Sequence, residues 1–378
     1  MRVALNGWFW NSPFTGSGQV LRHLIDGLRK VAPDLQITLV LPASVPGDDA
    51  PSGVEVRHVK VPRGTIGKNW FEQRGFPAAA ARAKADVAHV PYWGGPLSSP
   101  VPLVVSVLDA IPAMMPAYTQ GALQHLYVSL QTASARGATA VITISHAAKT
   151  DIVRVLGVPE DRITVTHLAA DEAFHPRIGT ERDAEVKARH SLPDRFVLYL
   201  GGFDQRKNLT QLLEAYRYVS KAEGDEVPLV IAGREPAYRE PLFPNLREVA
   251  RNLDLSDEAV RWIGPVSEAD KPGLYRLASV FAFPSLYEGF GLMALEAMAS
   301  GTPVVANQIP VMEEVCGDGA YLVEAGDARK MAGAILALLG QKDLYETQVS
   351  RGLARATHFQ WRKTAKETLA VYEAAARA

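Results

Sequence analysis

Apolar residues in this chain fall into short β-branched runs, separated by stretches in which they recur every three or four positions. RVALN, ITLVLP, VEVRHV, VAHVP, VPLVVSVLD, AVITIS and ITVTHL are the runs of the first half. Each has the length and the Val/Ile/Leu content of a buried strand. The spacing between them predicts helices near Gly18–Val31, Phe76–Lys84 and Leu123–Arg136, and onward from His146. The polar stretch DEAFHPRIGTERDAEV breaks the pattern and reads as a linker. A second series comes after it: FVLYLG, a helix near Leu209–Lys221, PLVIAG, a helix near Leu246–Asn252, VRWIG, a helix near Asp270–Leu277, VFAFP, a further helix, PVVA and GAYLV. From Ala328 to the end the pattern is helical. Alternating strands and helices imply parallel sheets covered by helices on both faces, here twice over. The expected fold class is therefore α/β, with two doubly wound, Rossmann-like domains divided near residue 172. Ligands of such sheets bind at the carboxyl ends of the strands.

Composition narrows this picture. A length of 378 residues lets each domain bury its own core, and a net charge of −1 gives no electrostatic reason to bind nucleic acid. Cys316 is the one cysteine, so no intrachain disulfide forms, and a reducing, cytoplasmic setting is expected. No apolar run approaches the ~20 residues of a spanning helix. MRVALNGWFW reads as a first strand rather than a signal peptide. Asp-x-Asp pairs, zinc-spaced Cys/His clusters, a P-loop and a G-x-S-x-G elbow are all absent from the sequence. No metal and no organic cofactor are expected.

The candidate chemistry is concentrated in Ser285–Gly301, SLYEGFGLMALEAMASG. It lies between two predicted strands, so it forms a tight loop and then a helix. Gly289 and Gly291 let the backbone turn and approach a ligand, and Phe290 and Leu292 complete the turn. The helix they open presents free N–H groups suited to a phosphate. Glu288 lies in the loop and Glu296 two turns into the helix. Ionised carboxylates only accept hydrogen bonds, which fits the hydroxyls of a nucleotide sugar.

This arrangement resembles the Glu–seven–Glu motif of the retaining glycosyltransferases of family 4. The resemblance covers most of the chain and is strongest from Leu198 to Val323. It implies the GT-B fold, two Rossmann-like domains facing across a cleft. The N-terminal domain (1–172) takes the acceptor and the C-terminal domain (173–359) the donor, while the last helix (about 360–378) packs back on the first. In the family the first Glu holds the donor sugar and the second the ribose, which implies those roles for Glu288 and Glu296. VLYLGGFDQRKNLTQLLEAY resembles the family's diphosphate-binding turn, with Arg206 and Lys207 as its cations. Many members carry a further Arg where this chain has Gly202, and Arg206 is expected to supply that charge. The sequon at Asn208 lies in this same turn, so a glycan there is not expected.

Other loops bear the same resemblance. Gly16-Ser17-Gly18 is a broken dinucleotide fingerprint, since Leu21 stands at the third glycine position. It is similar to the glycine-rich first loop that closes over the donor phosphate. Leu108 stands where the family often has a His on the donor sugar. Either Asp109 takes over that contact and joins Glu288, Lys207 and Arg206 in catalysis, or the donor is a deoxy-sugar. His89, Tyr92 and Trp93 are expected on the acceptor side. Ser145 reads as a helix cap, with Lys149 and Asp151 shaping the same region and Thr143 and His167 as weaker candidates. Lys60, Arg63, Lys68 and Arg74 alternate with Trp70, Phe71 and Phe76, a segment that in relatives faces a lipid-linked or membrane acceptor. Peripheral contact with the cytoplasmic membrane face is the corresponding expectation.

The implied activity is transfer of a hexose from a nucleoside diphosphate sugar to an acceptor hydroxyl of a sugar or lipid-linked glycan. The flavour of the DAIP and RKNL segments resembles bacterial mannosyltransferases, which makes GDP-mannose the first donor. UDP-glucose or a deoxy-sugar nucleotide is the second. A GT-B epimerase and a non-catalytic sugar-nucleotide sensor are the readings from other classes, and an NAD-dependent enzyme is disfavoured by the broken fingerprint.

Overall fold

A computed structural model describes residues 1–13, 15–64, 66–237 and 241–378. Phe14 of the first glycine-rich loop and Thr65 of the basic segment lie outside the described residues. The chain divides into two compact units, residues 1–168 with 360–378, and residues 169–359. The division falls four residues before the expected one, because residues 169–172 belong to the C-terminal unit.

In the N-terminal unit the strands are β1 (Arg2–Asn6), β2 (Gln36–Pro42), β3 (Val54–Val59), β4 (Val87–Val90), β5 (Leu103–Ser106), β6 (Ala140–Thr143) and β7 (Ile163–Val165). They pair in parallel in the order β3-β2-β1-β4-β5-β6-β7. In the C-terminal unit the strands are β8 (Val197–Leu200), β9 (Leu229–Ala232), β10 (Val260–Gly264), β11 (Val280–Phe283), β12 (Val304–Gln308) and β13 (Ala320–Glu324). Their order is β10-β9-β8-β11-β12-β13, again parallel. Strand order reverses between β1 and β4 in one sheet and between β8 and β11 in the other. Crevices at such reversals are where doubly wound sheets bind ligands.

Helices cover the sheets through apolar faces of helical period. Helix α1 (Gly16–Val31) buries Val20, Leu21, Leu24, Ile25 and Leu28. Helix α2 (Leu209–Glu223) buries Leu209, Leu212, Leu213, Tyr216 and Val219. Each fully buried aliphatic side chain contributes about 1.5–3 kcal/mol. Beyond β11, helix α3 (Leu292–Ala299) is buried along most of its length. The last helix, α4 (Trp361–Arg377), joins the N-terminal unit. It packs on α1, where Trp361 stacks on His23 at 4.7 Å and a Cβ on Gly27 would lie 2.9 Å from the Ala365 Cβ.

Two stretches depart from the sequence reading. The supposed linker, residues 171–186, ends inside a helix, Asp183–Arg189. Its one buried apolar residue is Val186, and ion pairs hold it: Asp183 with Arg276 (2.5 Å) and Arg189 with Asp270 (2.7 Å). Periodicity reads apolar faces, so a helix held by charges escapes it. The helix expected from Phe76 begins at Ile66 and runs through a wider turn, Phe71–Gly75, into Phe76–Arg82. Phe71 and Phe76 are fully buried, so the basic segment does not present alternating cations and aromatics. The tail is helical as expected, in three pieces, Ala328–Gly340, Lys342–Ala356 and α4. Among the described residues no helix is long and apolar enough to cross a membrane.

Candidate active site

The β8–α2 connection builds one side of the C-terminal site. Gly201, at φ +157°, leaves β8, and a Cβ on Gly233 beside it would lie 2.2 Å from the Gly201 carbonyl oxygen. Gln205–Lys207 form one tight turn, and Asn208 enters α2 in the left-handed region at φ +53°. This turn drives Lys207 inward, leaving it 6 % exposed.

The β11–α3 connection supplies the other side. Lys207 Nζ donates to Glu288 Oε1 at 2.6 Å, and Arg206 lies 2.9 Å from Glu288 Oε2. Arg206 also donates to the Tyr287 carbonyl at 2.8 Å, and its own carbonyl accepts from Leu286 N at 2.9 Å. Asp204 stands 3.4 Å from Arg206. Burial pushes the Glu288 carboxyl up, but Lys207 and Arg206 outweigh it and hold the group below the ordinary carboxylate range. Glu288 is therefore an ionised acceptor at neutral pH. Gly291 is the N-cap of α3 at φ +91° and has no side chain with which to cap it. A Cβ on Gly291 would also meet Met312 Cε at 2.0 Å. The free N-terminal N–H groups and the helix dipole favour an anion there.

Glu296 sits deeper on α3, 4 % exposed, and its Oε2 accepts from the Tyr275 hydroxyl at 2.9 Å. Burial raises this carboxyl to about 7, even though Lys271 and Tyr275 oppose the shift. The two glutamates of the motif thus differ in charge state, one fixed by cations and the other poised near neutrality.

Sequence reasoning missed the polar clamp beneath the loop. Gln211 Nε2 donates to Asn307 Oδ1 at 3.1 Å, and Asn307 Nδ2 donates to Gln211 Oε1 at 2.8 Å and to the Pro284 carbonyl at 2.6 Å. It ties the first turn of α2 to the end of β12 and the start of the Glu288 loop. The one available signal was an amide in the first turn of α2 among apolar residues.

Glu288, Lys207, Arg206 and the turn at residues 289–292 therefore come together in the C-terminal unit, with Gly202 at the end of β8. Gly202 is exposed, and its ordinary φ does not demand glycine. The remaining candidates belong to the N-terminal unit. Gly16 opens α1, while Gly18 is required by packing, since a Cβ there would lie 2.1 Å from the Ser12 carbonyl oxygen. Ser17, Tyr92, Trp93, Leu108 and Asp109 line one cavity, and Asp109 Oδ1 also accepts from Ile111 N at 3.0 Å. Ser145 caps its helix as expected, accepting from Ala148 N at 2.9 Å.

His89 is a correction. It is 1 % exposed in β4, with Nδ1 2.6 Å from the Tyr372 hydroxyl and Nε2 2.8 Å from Ser106 Oγ. Burial lowers its pKa to about 3. It is a neutral core residue that ties α4 to the sheet, with both ring nitrogens bonded inside the unit. Its place at a strand end resembled a site position, but strand residues point alternately to either face.

Comparison with known proteins agrees with this geometry. Residues 181–355 match the model of "Glycosyl transferases group 1", and residues 15–169 match that of a "Glycosyl transferase 4-like domain". The chain is 31 % identical over 233 residues to the O-antigen chain mannosyltransferase B of Escherichia coli. That match spans 62 % of this chain and 60 % of that protein, so it takes in less than two thirds of the relative's length. The sucrose-phosphate synthase of Thermosynechococcus elongatus superposes with a TM-score of 0.76 at 21 % identity, covering 99 % of this chain and 98 % of that one. Anabaena HepE, solved in complex with UDP-glucose, superposes with a TM-score of 0.72 at 16 % identity over the whole of both chains. These two likenesses show the shared GT-B fold.

Proposed function

The chain belongs to the group 1, family 4-like glycosyltransferases, and on that premise we propose that it transfers mannose from GDP-mannose to an acceptor hydroxyl in glycan assembly. The single observation carrying this reading is the placement of Lys207 and Arg206 on Glu288, close before the uncapped N-terminus of α3. The choice of mannose rests on the similarity to an O-antigen mannosyltransferase.

In this reading the diphosphate lies against the α3 N-terminus and shares Lys207 and Arg206 with Glu288. The bond from the anomeric carbon to the diphosphate oxygen breaks, and its electron pair stays on that oxygen. Both cations and the helix N-terminus stabilise the charge, the part a metal would otherwise play. The acceptor oxygen bonds to the same face of the sugar and gives its proton to the leaving diphosphate, so configuration is retained. Glu288, ionised, accepts from hydroxyls of the transferred sugar. Glu296 accepts from the ribose, displacing Tyr275. The N-terminal unit carries the acceptor.

The test is mass spectrometry of the full chain incubated with GDP-mannose, UDP-glucose and a deoxy-sugar nucleotide, with and without pooled glycan acceptors. The expected result is acceptor-dependent GDP release from GDP-mannose, lost in Glu288→Ala and Lys207→Ala, with a product heavier by one hexose. UDP release from UDP-glucose instead would reassign the donor. An isomerised donor with no heavier product would make the protein an epimerase, and donor binding without release would make it a sensor.

A further inference from the structure

A cavity of about 330 Å³ in the N-terminal unit is lined by none of the Glu288, Lys207 and Arg206 cluster. It opens beside the strand reversal: Phe9 lies beyond β1, Tyr92 and Trp93 beyond β4, and Leu108 and Asp109 beyond β5. Lys68 is the one cation among the described lining residues and Asp109 the one carboxylate. Lys68 is itself compensated. Its Nζ donates to the Tyr127 hydroxyl at 3.0 Å, lies 3.6 Å from the fully buried Glu72, and stands 5.2–5.5 Å from the ring centroids of Phe9, Tyr92 and Tyr127. A phosphate or carboxylate entering here would lose its hydration and find no free cation in return.

Two further groups want polar partners. Gln131 lines the cavity at 2 % exposure, and its Oε1 has no partner among the described residues. Trp93 also lines it, with its buried Nε1 equally unpartnered. One group accepts from a hydroxyl and the other donates to one. Aromatic rings with a few placed polar groups suit a sugar, whose C–H face packs on a ring while its hydroxyls bond at the edge.

We propose that this cavity seats the uncharged sugar end of the acceptor, with Trp93 and Gln131 bonding its hydroxyls, and that Glu72 excludes anionic acceptors by neutralising Lys68. The proposal rests on the glycosyltransferase reading only for the word acceptor. Glu72 and Gln131 are specificity residues that no motif singles out for this role, and Lys68 is the cation of the basic segment that lines the cavity.

The test is saturation-transfer NMR on the full chain without donor, at about pH 8, where Glu72, with its pKa of about 7, is ionised. The probes are methyl α-mannoside and mannose 6-phosphate. The wild type should bind the uncharged glycoside and not the phosphate. Loss of one hydrogen bond in Gln131→Ala should weaken the glycoside about fivefold. Glu72→Gln, which leaves Lys68 uncompensated, should gain binding of mannose 6-phosphate. Tighter binding of the phosphate by the wild type, or no binding of either probe, would overturn the proposal, whether or not the variants fold. A parallel titration with GDP-mannose reads the donor site separately, so failure there with glycoside binding intact would fault the donor reading alone.

Discussion

At the scale of single residues, charge state decides most of what this protein can do. Glu288 and Lys207 are both nearly buried, and each makes the other tolerable. Replacing Lys207 with Met leaves a buried carboxylate served by Arg206 alone, and should cost about 2–3 kcal/mol. Urea unfolding measures this directly; a loss below about 0.5 kcal/mol would mean the pair is solvated like a surface bridge. Glu296 acts in the opposite sense. Its folded pKa, about 7 against an ordinary 4.5, exceeds that of the unfolded chain. The stability it contributes is present below about pH 4.5 and is lost as pH rises through about 7, a loss of about 3 kcal/mol. Glu296→Gln abolishes the titration, so the variant should gain on the wild type between about pH 5 and 8. Parallel pH profiles for the two proteins would show that Glu296 is not held protonated.

At the scale of elements, loops are set by residues that nothing else could replace. Gly291 stands at φ +91° where the loop after a strand becomes a helix, and the proposed diphosphate site is the helix N-terminus it opens. Gly291→Ala should destabilise by about 1–2 kcal/mol from backbone strain. It should also weaken GDP binding in calorimetry, since Met312 must move. Unchanged GDP affinity would detach α3 from donor binding. Gly27 does for packing what Gly291 does for the turn, letting α1 and α4 approach within the reach of one methyl group. Gly27→Val should separate them and lower the melting temperature by several degrees, about 1–3 kcal/mol of overpacking. The supposed linker teaches the converse. Asp183–Arg189 is an element because Arg276 and Asp270 hold it, and neither partner is near it in sequence.

At the scale of the molecule, each unit has its own sheet and its own strand reversal. The C-terminal reversal gathers the cations and both glutamates, whereas the N-terminal one gathers aromatic rings around a single compensated lysine. Binding of GDP should therefore slow hydrogen exchange at residues 200–211 and 284–296 and leave the sheet of the N-terminal unit unaltered at its core strands. Protection centred on β1 and β4 instead would move the nucleotide to the other unit.

The strand and helix series, the two-domain plan and the Glu288–Glu296 motif were legible because they are local. A strand or a helix imprints its own period on the chain, and a glycine turn before a helix is contiguous. The RKN turn could be read as cationic for the same reason. What lay beyond the sequence depends on residues distant along the chain. His89 is held in the core partly by Tyr372, 283 positions away, and that burial keeps it neutral even in acid. Glu72 is buried only because the helix from Ile66 carries it under Tyr127, and Gln211 clamps the active loop only through Asn307. Sequence determined which residues could carry charge. Tertiary structure decided which of them keep it, because solvation and pairing depend on the whole fold.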